Sequence, residues 1–228
     1  IFNNDFNKIE LINFEIIKEL LSLSCLVYNF NVDLKLKKNN DNNGNYDLNE
    51  LKVDNLNIDD FKKKQLKEIL DESPNAELYR FYDLPSGSQV GITISHKKKR
   101  ISFIFRGSNQ LKDWLHDFMI CKKHIKEDIY VHLGFYKSLF ENNLFNLLVN
   151  DFNDLNKKYN NYNIFISGHS LGGGLSTLFG YLLSTKTNKN ITVVTFASPR
   201  VGNKEWCDDF HKINNLRLYR IVNQKDIV

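Results

Sequence analysis

The chain has 228 residues, of which 42% are hydrophobic and 25% are charged, and its formal net charge is +4. This length suits one sizeable domain with a single core, and the composition is ordinary for a globular protein. The charge is mild and the lysines are scattered, which indicates a solvated basic face, although an anionic membrane surface would also be compatible with it. There is no basic stripe interleaved with aromatic residues and no zinc-ligand spacing, which excludes a nucleic-acid-binding module.

Cysteine usage and the chain start leave the compartment undetermined. Cys25, Cys121 and Cys207 are far apart and odd in number, so we expect buried free thiols and a slight preference for a reducing, intracellular compartment. The acceptor sequon that begins at Asn190 favours the opposite. No apolar run reaches the roughly 18 residues of a membrane span. The chain begins with Ile, so we expect the native N-terminus, with any signal peptide, to lie outside it.

The first third of the chain predicts two helices around a polar segment. Apolar residues at three- and four-residue steps predict a helix over Phe6–Tyr28. Residues 31–60 are rich in Asn, Lys and Asp and would bury little apolar surface, so we interpret them as an insertion or loop. A short helix is predicted over Phe61–Leu70.

From residue 76 onward, strands and helices follow each other in a regular order. Three consecutive strands are predicted at Leu78–Tyr82, Gln89–Ser95 and Arg100–Phe105. After a long helix, strands then alternate with helices, which predicts crossover units and a mostly parallel central sheet flanked by helices. The predicted elements are the helix Lys137–Lys158, the strand Ile164–Ser167, the helix Gly173–Leu183, the strand Ile191–Phe196, the helix Asn203–His211 and the strand Leu216–Val222.

A Gly-x-Ser-x-Gly sequence centred on Ser170 follows the apolar strand directly and precedes a helix rich in small residues. This strand–turn–helix context is that of a nucleophile elbow, in which a strained turn makes the serine hydroxyl project, exposed, from the strand end. Gly168 and Gly172 would remove the Cβ atoms that otherwise collide where strand and helix converge. The helix N-terminus would place the N–H of Leu171 beside a forming oxyanion.

Five segments in the same order resemble the class 3 lipases, a family with the α/β-hydrolase fold. The resemblance covers residues 76–228 and implies a single, incomplete α/β-hydrolase domain over residues 1–228 whose C-terminal part is missing. The segments are Phe105-Arg106-Gly107-Ser108 with Asp113-Trp114, Val131-His132-Leu133-Gly134-Phe135, Ser167-Gly168-His169-Ser170-Leu171-Gly172-Gly173, Thr195 to Asn203, and Asn223 to Val228.

The resemblance implies a role for each residue of the site. Ser170 would be the nucleophile and Asp226 the acid member of a catalytic triad. Ser108 would give a second oxyanion donor through its backbone N–H, beside that of Leu171. The predicted positions agree, since Ser108 and Asp226 each follow a strand that ends at the sheet edge of Ser170.

The histidine that such a triad needs does not follow Asp226 within the chain. His169 adjoins Ser170 on a tight turn and His132 is better interpreted as structural, whereas the other four histidines belong to no motif. Two explanations stay open. Either the chain is a fragment cut just after Asp226, with its catalytic His beyond residue 228, or the protein is a lipase-like domain without catalysis that binds lipid or a protein partner.

Leu111, Trp114, Leu115, Phe118 and Met119 fall on one face of a predicted amphipathic helix. In the family this position is a lid that opens at a lipid surface. The resulting hypothesis is a serine carboxylic ester hydrolase that cleaves acylglycerol-type lipids or phospholipids through an acyl-enzyme at a lipid–water interface. It implies no metal or organic cofactor, no nucleic-acid partner and no transmembrane segment, with peripheral membrane contact left open.

Overall fold

A central sheet of seven strands organises the fold, as seen in a computed structural model that describes residues 12–29, 46–47, 60–72, 76–84, 87–107 and 122–222. The strand order is β1-β2-β3-β4-β7-β8-β9, and a separate hairpin is formed by β5 and β6. The strands are β1 Tyr46–Asp47, β2 Ala76–Asp83, β3 Gln89–Ser95, β4 Arg100–Phe105, β5 Lys122–Lys126, β6 Ile129–His132, β7 Asn163–His169, β8 Ile191–Phe196 and β9 Leu216–Ile221.

The second half of the sheet is parallel and ends along one edge. Strands β4, β7, β8 and β9 pair in parallel, whereas β1, β2 and β3 join them through antiparallel pairs. Phe105 at the end of β4 pairs with Gly168, and Phe196 at the end of β8 pairs with His169 and Ile221. The carboxyl ends of all four strands therefore lie at the same edge, where active sites of open α/β sheets are found.

Helices cover both faces of this sheet. The helices are α1 Phe14–Asn29, α2 Asp60–Glu72, α3 Leu133–Phe140, α4 Leu144–Lys158, α5 Leu171–Ser184 and α6 Lys204–His211. On one face, Phe179 of α5 packs against Phe103 and Phe105 of β4 at ring-centroid distances of 5.6 and 5.5 Å. On the other face, Leu20 and Leu23 of α1 belong to a second apolar cluster. The predicted α/β fold with a mostly parallel sheet flanked by helices is thus confirmed.

Helix α1 contains a buried carboxylate, that of Glu19, which is paired with basic residues at and just before the start of β4. The carboxylate of Glu19 accepts hydrogen bonds from Lys98 at 2.6 Å and from Arg100 at 2.7 Å, and its side chain is 3% exposed. The predicted helix start at Phe6 is wrong for the described residues, because α1 begins at Phe14. Asn13 caps the helix there, since its side chain accepts the N–H of Glu15 at 2.9 Å.

The predicted single helix over Lys137–Lys158 is also wrong, because α3 and α4 are separated by a 3₁₀ turn. Asn142 and Asn143 adopt left-handed φ angles of 51° and 62° there, which interrupts the α-helical ladder. Asparagine is among the few residues that tolerate this conformation. After the break, α4 contributes Leu144, Phe145, Leu148, Phe152 and Leu155 to the core.

The loop after β8 is tied to the β5–β6 hairpin and to α6 by Asn203. Its side-chain oxygen accepts the N–H groups of Trp206 at 3.2 Å and Tyr130 at 3.1 Å, so it caps α6 and binds the hairpin. Its side-chain amide donates to the carbonyl of Asp128 at 2.7 Å. One asparagine thus connects three segments around the carboxyl edge of the sheet.

The segment interpreted as an insertion, residues 31–60, contributes two described residues besides the start of α2. Tyr46 and Asp47 pair with Leu78 and Glu77 at the edge of the sheet. The remainder of the insertion and the predicted helix over residues 111–119 lie outside the described residues. Within the described part of the chain, every helix is too short or too polar to cross a bilayer. The expected burial of the thiols is wrong for Cys25 and Cys207, which are exposed.

Candidate active site

Ser170 occupies a sharp turn between β7 and α5. Its φ and ψ angles are 55° and −123°, a strained conformation for a residue with a side chain. The turn is held from both sides, since the N–H of Ser170 donates to the Phe196 carbonyl at 2.9 Å and its carbonyl accepts from Gly173 at 2.9 Å. At the helix N-cap the Ser170 side chain makes no capping hydrogen bond within the described residues. The hydroxyl is therefore not committed to stabilising the helix.

Two glycines allow strand β4 to approach the elbow. A Cβ atom on Gly168 would lie 2.4 Å from the Gly172 backbone, and one on Gly172 would lie 2.2 Å from the Phe105 carbonyl oxygen. Both distances are far below van der Waals contact, and the atoms met are backbone atoms. Gly168 thus gives the clearance between strand β7 and helix α5 that the sequence predicts. Gly172 is required for a different reason, because the start of α5 packs directly on the end of β4.

The next two glycines extend this close packing into the first helical turn. A Cβ atom on Gly173 would meet the Ser198 Cβ atom at 2.7 Å, and one on Gly174 would meet the Phe135 ring at 2.4 Å. Ser198 follows β8, and Phe135 belongs to α3. The helix N-terminus is therefore fixed against three separate segments, which pre-organises its N–H groups.

The expected exposure of the Ser170 hydroxyl is wrong, since the whole residue is only 8% exposed. Its turn lies among tightly packed neighbours, with the end of β4 on one side and the residues after β8 on the other. A substrate carbonyl can therefore reach the Ser170 hydroxyl only if the segments around the elbow leave room for it. The position at the carboxyl edge of the sheet agrees with the prediction, whereas the accessibility does not.

Of the two predicted oxyanion donors, Leu171 lies within the described residues and Ser108 does not. Leu171 is the first residue of α5, and the N–H groups of a first helical turn have no partner within the helix. Ser108 lies outside the described residues. The chain leading to it is described as far as Gly107, which is buried, and Arg106, whose N–H donates to the Gln89 carbonyl at 2.9 Å.

Asp226 also lies outside the described residues. Strand β9, which precedes it, ends at Ile221 in register with Phe196, whose carbonyl binds the Ser170 N–H. The chain therefore reaches the sheet edge of Ser170 at the end of β9, a few residues before Asp226.

The described histidines have structural partners. The His132 Nδ1 atom accepts the Gly134 N–H at 3.0 Å and so caps α3, which confirms the structural interpretation of this residue. His96 contacts Glu77 and Tyr162, at the opposite edge of the sheet from Ser170. His124 binds the carbonyl of Glu127 within its own hairpin turn.

Sequence reasoning missed a polar chain across the ends of β2, β3 and β4. An Arg106 Nη1 hydrogen donates to the Gln89 side-chain oxygen, and the Gln89 side-chain nitrogen donates to Asp83 at 2.8 Å. It also missed Ala197, which follows β8 at a left-handed φ of 46° and whose N–H donates to the Ile221 carbonyl at 2.9 Å. No local pattern signals either feature, because each depends on residues from different strands.

Comparison with known proteins agrees with this geometry. The chain is 31% identical over 137 residues to a lipase from Rhizomucor miehei, covering 58% of this chain and 37% of the relative. It is 28% identical over 158 residues to a lipase from Rhizopus niveus, covering 65% of this chain and 38% of the relative. The chain thus spans well under half the length of these curated relatives.

A solved structure shares the fold as well. It is a triacylglycerol lipase whose catalytic centre is formed by a serine protease triad, and it superposes with a TM-score of 0.65 at 26% identity. The match covers 70% of this chain and 62% of that one. Residues 102–228, more than half of the chain, match the family described as Lipase (class 3). The chain therefore belongs to the class 3 lipase family.

Proposed function

We propose that the protein is a serine carboxylic ester hydrolase that cleaves acylglycerol-type lipids through an acyl-enzyme formed on Ser170. The observation that carries this proposal is the strained Ser170 backbone, φ 55° and ψ −123°, at the carboxyl edge of a parallel sheet. Such strain persists only where the surroundings enforce it, and it is typical of functional sites. The membership in the class 3 lipase family supports the same chemistry.

In the proposed mechanism, the Ser170 hydroxyl attacks the ester carbonyl and the resulting oxyanion accepts hydrogen bonds from backbone N–H groups. The N–H of Leu171, at the start of α5, is one donor, and that of Ser108 is the other. Removal of one such donor costs roughly 100- to 1,000-fold in rate in other serine hydrolases. Both donors would be held by the packing of α5 against β4.

A serine hydroxyl needs a base to take its proton, and we propose that this base is a histidine that follows Asp226 in chain order. The order Ser, Asp, His is that of α/β-hydrolases. Asp226 would orient this histidine and stabilise its charged form. The assignment of Asp226 is supported by the parallel pairing of β8 and β9, which brings the end of β9 to the edge where Ser170 lies.

The substrate class is proposed from the relatives and from the surroundings of Ser170. Several relatives are lipases, one of them a triacylglycerol lipase. The low exposure of Ser170, 8%, supports a site that is covered in water. We propose that the amphipathic segment 111–119 is this cover and that a lipid interface favours its opening by accepting the apolar side chains.

Labelling by a fluorophosphonate probe, combined with hydrolysis of a triacylglycerol emulsion, tests this function in the full-length protein. We expect wild-type protein to be labelled and active and Ser170→Ala to be neither. Ser176→Ala is the matched control, because Ser176 is buried in the same helix and donates to the Gly172 carbonyl at 2.7 Å. It should retain labelling and activity.

Two results would contradict the proposed function. A folded wild-type protein that neither reacts with the probe nor hydrolyses the emulsion would support the alternative of a non-catalytic lipid- or protein-binding domain. Ester hydrolysis that survives in Ser170→Ala would show that another group performs the chemistry.

A further inference from the structure

We propose that Gln89 is a positioning residue for catalysis, which fixes the end of strand β4 where the chain enters the predicted oxyanion segment. Gln89 is the first residue of β3 and is 3% exposed. It contacts neither the substrate nor the reacting atoms in this proposal and acts through Arg106. The inference rests on the proposed function, because it concerns the same oxyanion site.

Gln89 holds Arg106 by its main chain and by its side chain. The Arg106 N–H donates to the Gln89 carbonyl at 2.9 Å, and the Arg106 guanidinium donates to the Gln89 side-chain oxygen. The backbone bond extends the β3–β4 pairing by one residue beyond the end of β4 at Phe105. Two bonds to one residue fix both the position and the orientation of Arg106, which stands two residues before Ser108.

The other end of the Gln89 amide is fixed to β2. Its nitrogen donates to the carboxylate of Asp83 at 2.8 Å, and Asp83 also pairs with Gln89 in the β2–β3 ladder. Arginine can only donate hydrogen bonds, and an ionised aspartate can only accept them. A glutamine side chain satisfies both neighbours at once, with its oxygen towards Arg106 and its nitrogen towards Asp83. A glutamate would place its second oxygen against the Asp83 carboxylate, and the repulsion between the two negative charges would displace the side chain that holds Arg106.

The strand end fixed in this way is also the one that the elbow helix contacts. The Phe105 carbonyl, one residue before Arg106, is the atom that a Cβ on Gly172 would approach to 2.2 Å. Movement of the β4 end therefore changes its distance from the start of α5, where Leu171 gives the other proposed oxyanion donor. Because oxyanion stabilisation requires donors at defined positions, loosening Arg106 would slow the reaction more than it weakens substrate binding.

The test measures kcat and KM for a soluble ester, p-nitrophenyl butyrate, in the full-length protein. We expect Gln89→Glu to lower kcat about 10- to 100-fold with KM nearly unchanged, since a misplacement of about 1 Å can cost that much. The double variant Asp83→Asn/Gln89→Glu restores a donor opposite the new carboxylate, and its kcat should return to within about threefold of wild type. Asp83→Asn alone should stay near wild type, because its amide oxygen still accepts from Gln89.

A matched control separates positioning from loss of stability. Asn215 lies just before β9, at the opposite edge of the sheet, and its side-chain amide donates to the Thr187 carbonyl at 2.7 Å. Asn215→Ala should lower the unfolding temperature without lowering kcat. If Gln89→Glu folds poorly, Gln89→Met, which preserves the volume and removes the side-chain hydrogen bonds to Arg106 and Asp83, should show the same fall in kcat.

The outcomes distinguish this inference from the proposed function. Unchanged kcat in Gln89→Glu or Gln89→Met, or a low kcat that persists in the double variant, would overturn the role of Gln89 while wild-type activity still supports the hydrolase. Wild-type protein that shows no fluorophosphonate labelling at Ser170 would overturn the proposed function and this inference with it.

Discussion

Substitution of Gly172 by alanine tests whether the close approach of α5 to β4 sets the rate. The new Cβ atom would lie 2.2 Å from the Phe105 carbonyl oxygen and 2.8 Å from the Arg106 carbonyl carbon. Real Cβ contacts below 3.0 Å are essentially absent, so helix and strand must separate by at least about 0.8 Å. The atoms involved are backbone atoms, and rotation of a side chain cannot relieve the overlap.

The expected effect on stability is moderate, whereas the effect on catalysis is large. Overpacking costs about 1–3 kcal/mol, and replacement of a helical glycine by alanine returns about 1 kcal/mol, so we expect a net destabilisation of about 0–2 kcal/mol. A shift approaching 1 Å between the proposed oxyanion donors should lower kcat about 100-fold, which corresponds to about 2.7 kcal/mol in the barrier.

The assay compares kcat for p-nitrophenyl butyrate and urea unfolding of Gly172→Ala with those of Gly180→Ala. Gly180 lies in the middle of the same helix, and its new Cβ would meet a methyl group of Val193 at 2.6 Å. Overpacking there should destabilise the protein to a similar extent and leave kcat within about threefold of wild type. The reasoning is refuted if Gly172→Ala retains wild-type kcat, or if both variants lose activity in parallel with stability.

Three further substitutions test the contacts that surround the site. Asn203→Ala removes the cap of α6 and the link to the hairpin, and should cost about 2 kcal/mol in urea unfolding; a change below about 0.5 kcal/mol would contradict the linking role. The bond from Tyr181 lowers the pKa of the Asp209 carboxyl below 3.8, and burial together with this bond raises the pKa of Tyr181 above 10.0. Tyr181→Phe should therefore lower the free energy of unfolding by about 1 kcal/mol between about pH 4 and pH 10. This loss should shrink as the pH falls through the lowered Asp209 pKa or rises through the raised Tyr181 pKa. A loss that does not depend on pH would contradict the role of this hydrogen bond. Glu19→Ala leaves the Arg100 guanidinium, which is 7% exposed, without its carboxylate. It should lower the free energy of unfolding by about 3–5 kcal/mol, which is more than Glu19→Gln does. Equal losses in the two variants would show that the charge is unimportant.

The sequence predicted the sheet best where strands are buried throughout. Strands β3 and β4 are buried at every residue, and their bounds, like those of β8, agree with the predicted ones. A continuous apolar or β-branched run has few alternative structures, so local pattern and tertiary packing favour the same conformation. The elbow was predictable for a similar reason, because Gly168 is required by a local backbone contact with Gly172, although the contact of Gly172 itself with Phe105 depends on a distant strand.

Elements whose structure depends on distant partners were missed or misplaced. The hairpin strand β5 is lysine-rich and half exposed, and it is stabilised by pairing with β6, which Asn203 holds through the N–H of Tyr130. The break before α4 has a local signal, the Asn142-Asn143 pair, but helical periodicity continues across it. The burial of Ser170 and the contacts of Gln89 depend on segments brought together only by the sheet.

The central claim is that the Ser170 hydroxyl carries the acyl group of an acyl-enzyme. Its most direct test is mass spectrometry of peptides from full-length protein mixed with p-nitrophenyl butyrate and quenched with acid before turnover is complete. The account predicts a butyryl adduct on the peptide that contains Ser170, absent from Ser170→Ala and present in Ser176→Ala. An adduct on a different residue, or hydrolysis with a pre-steady-state burst that leaves Ser170 unmodified, would contradict it.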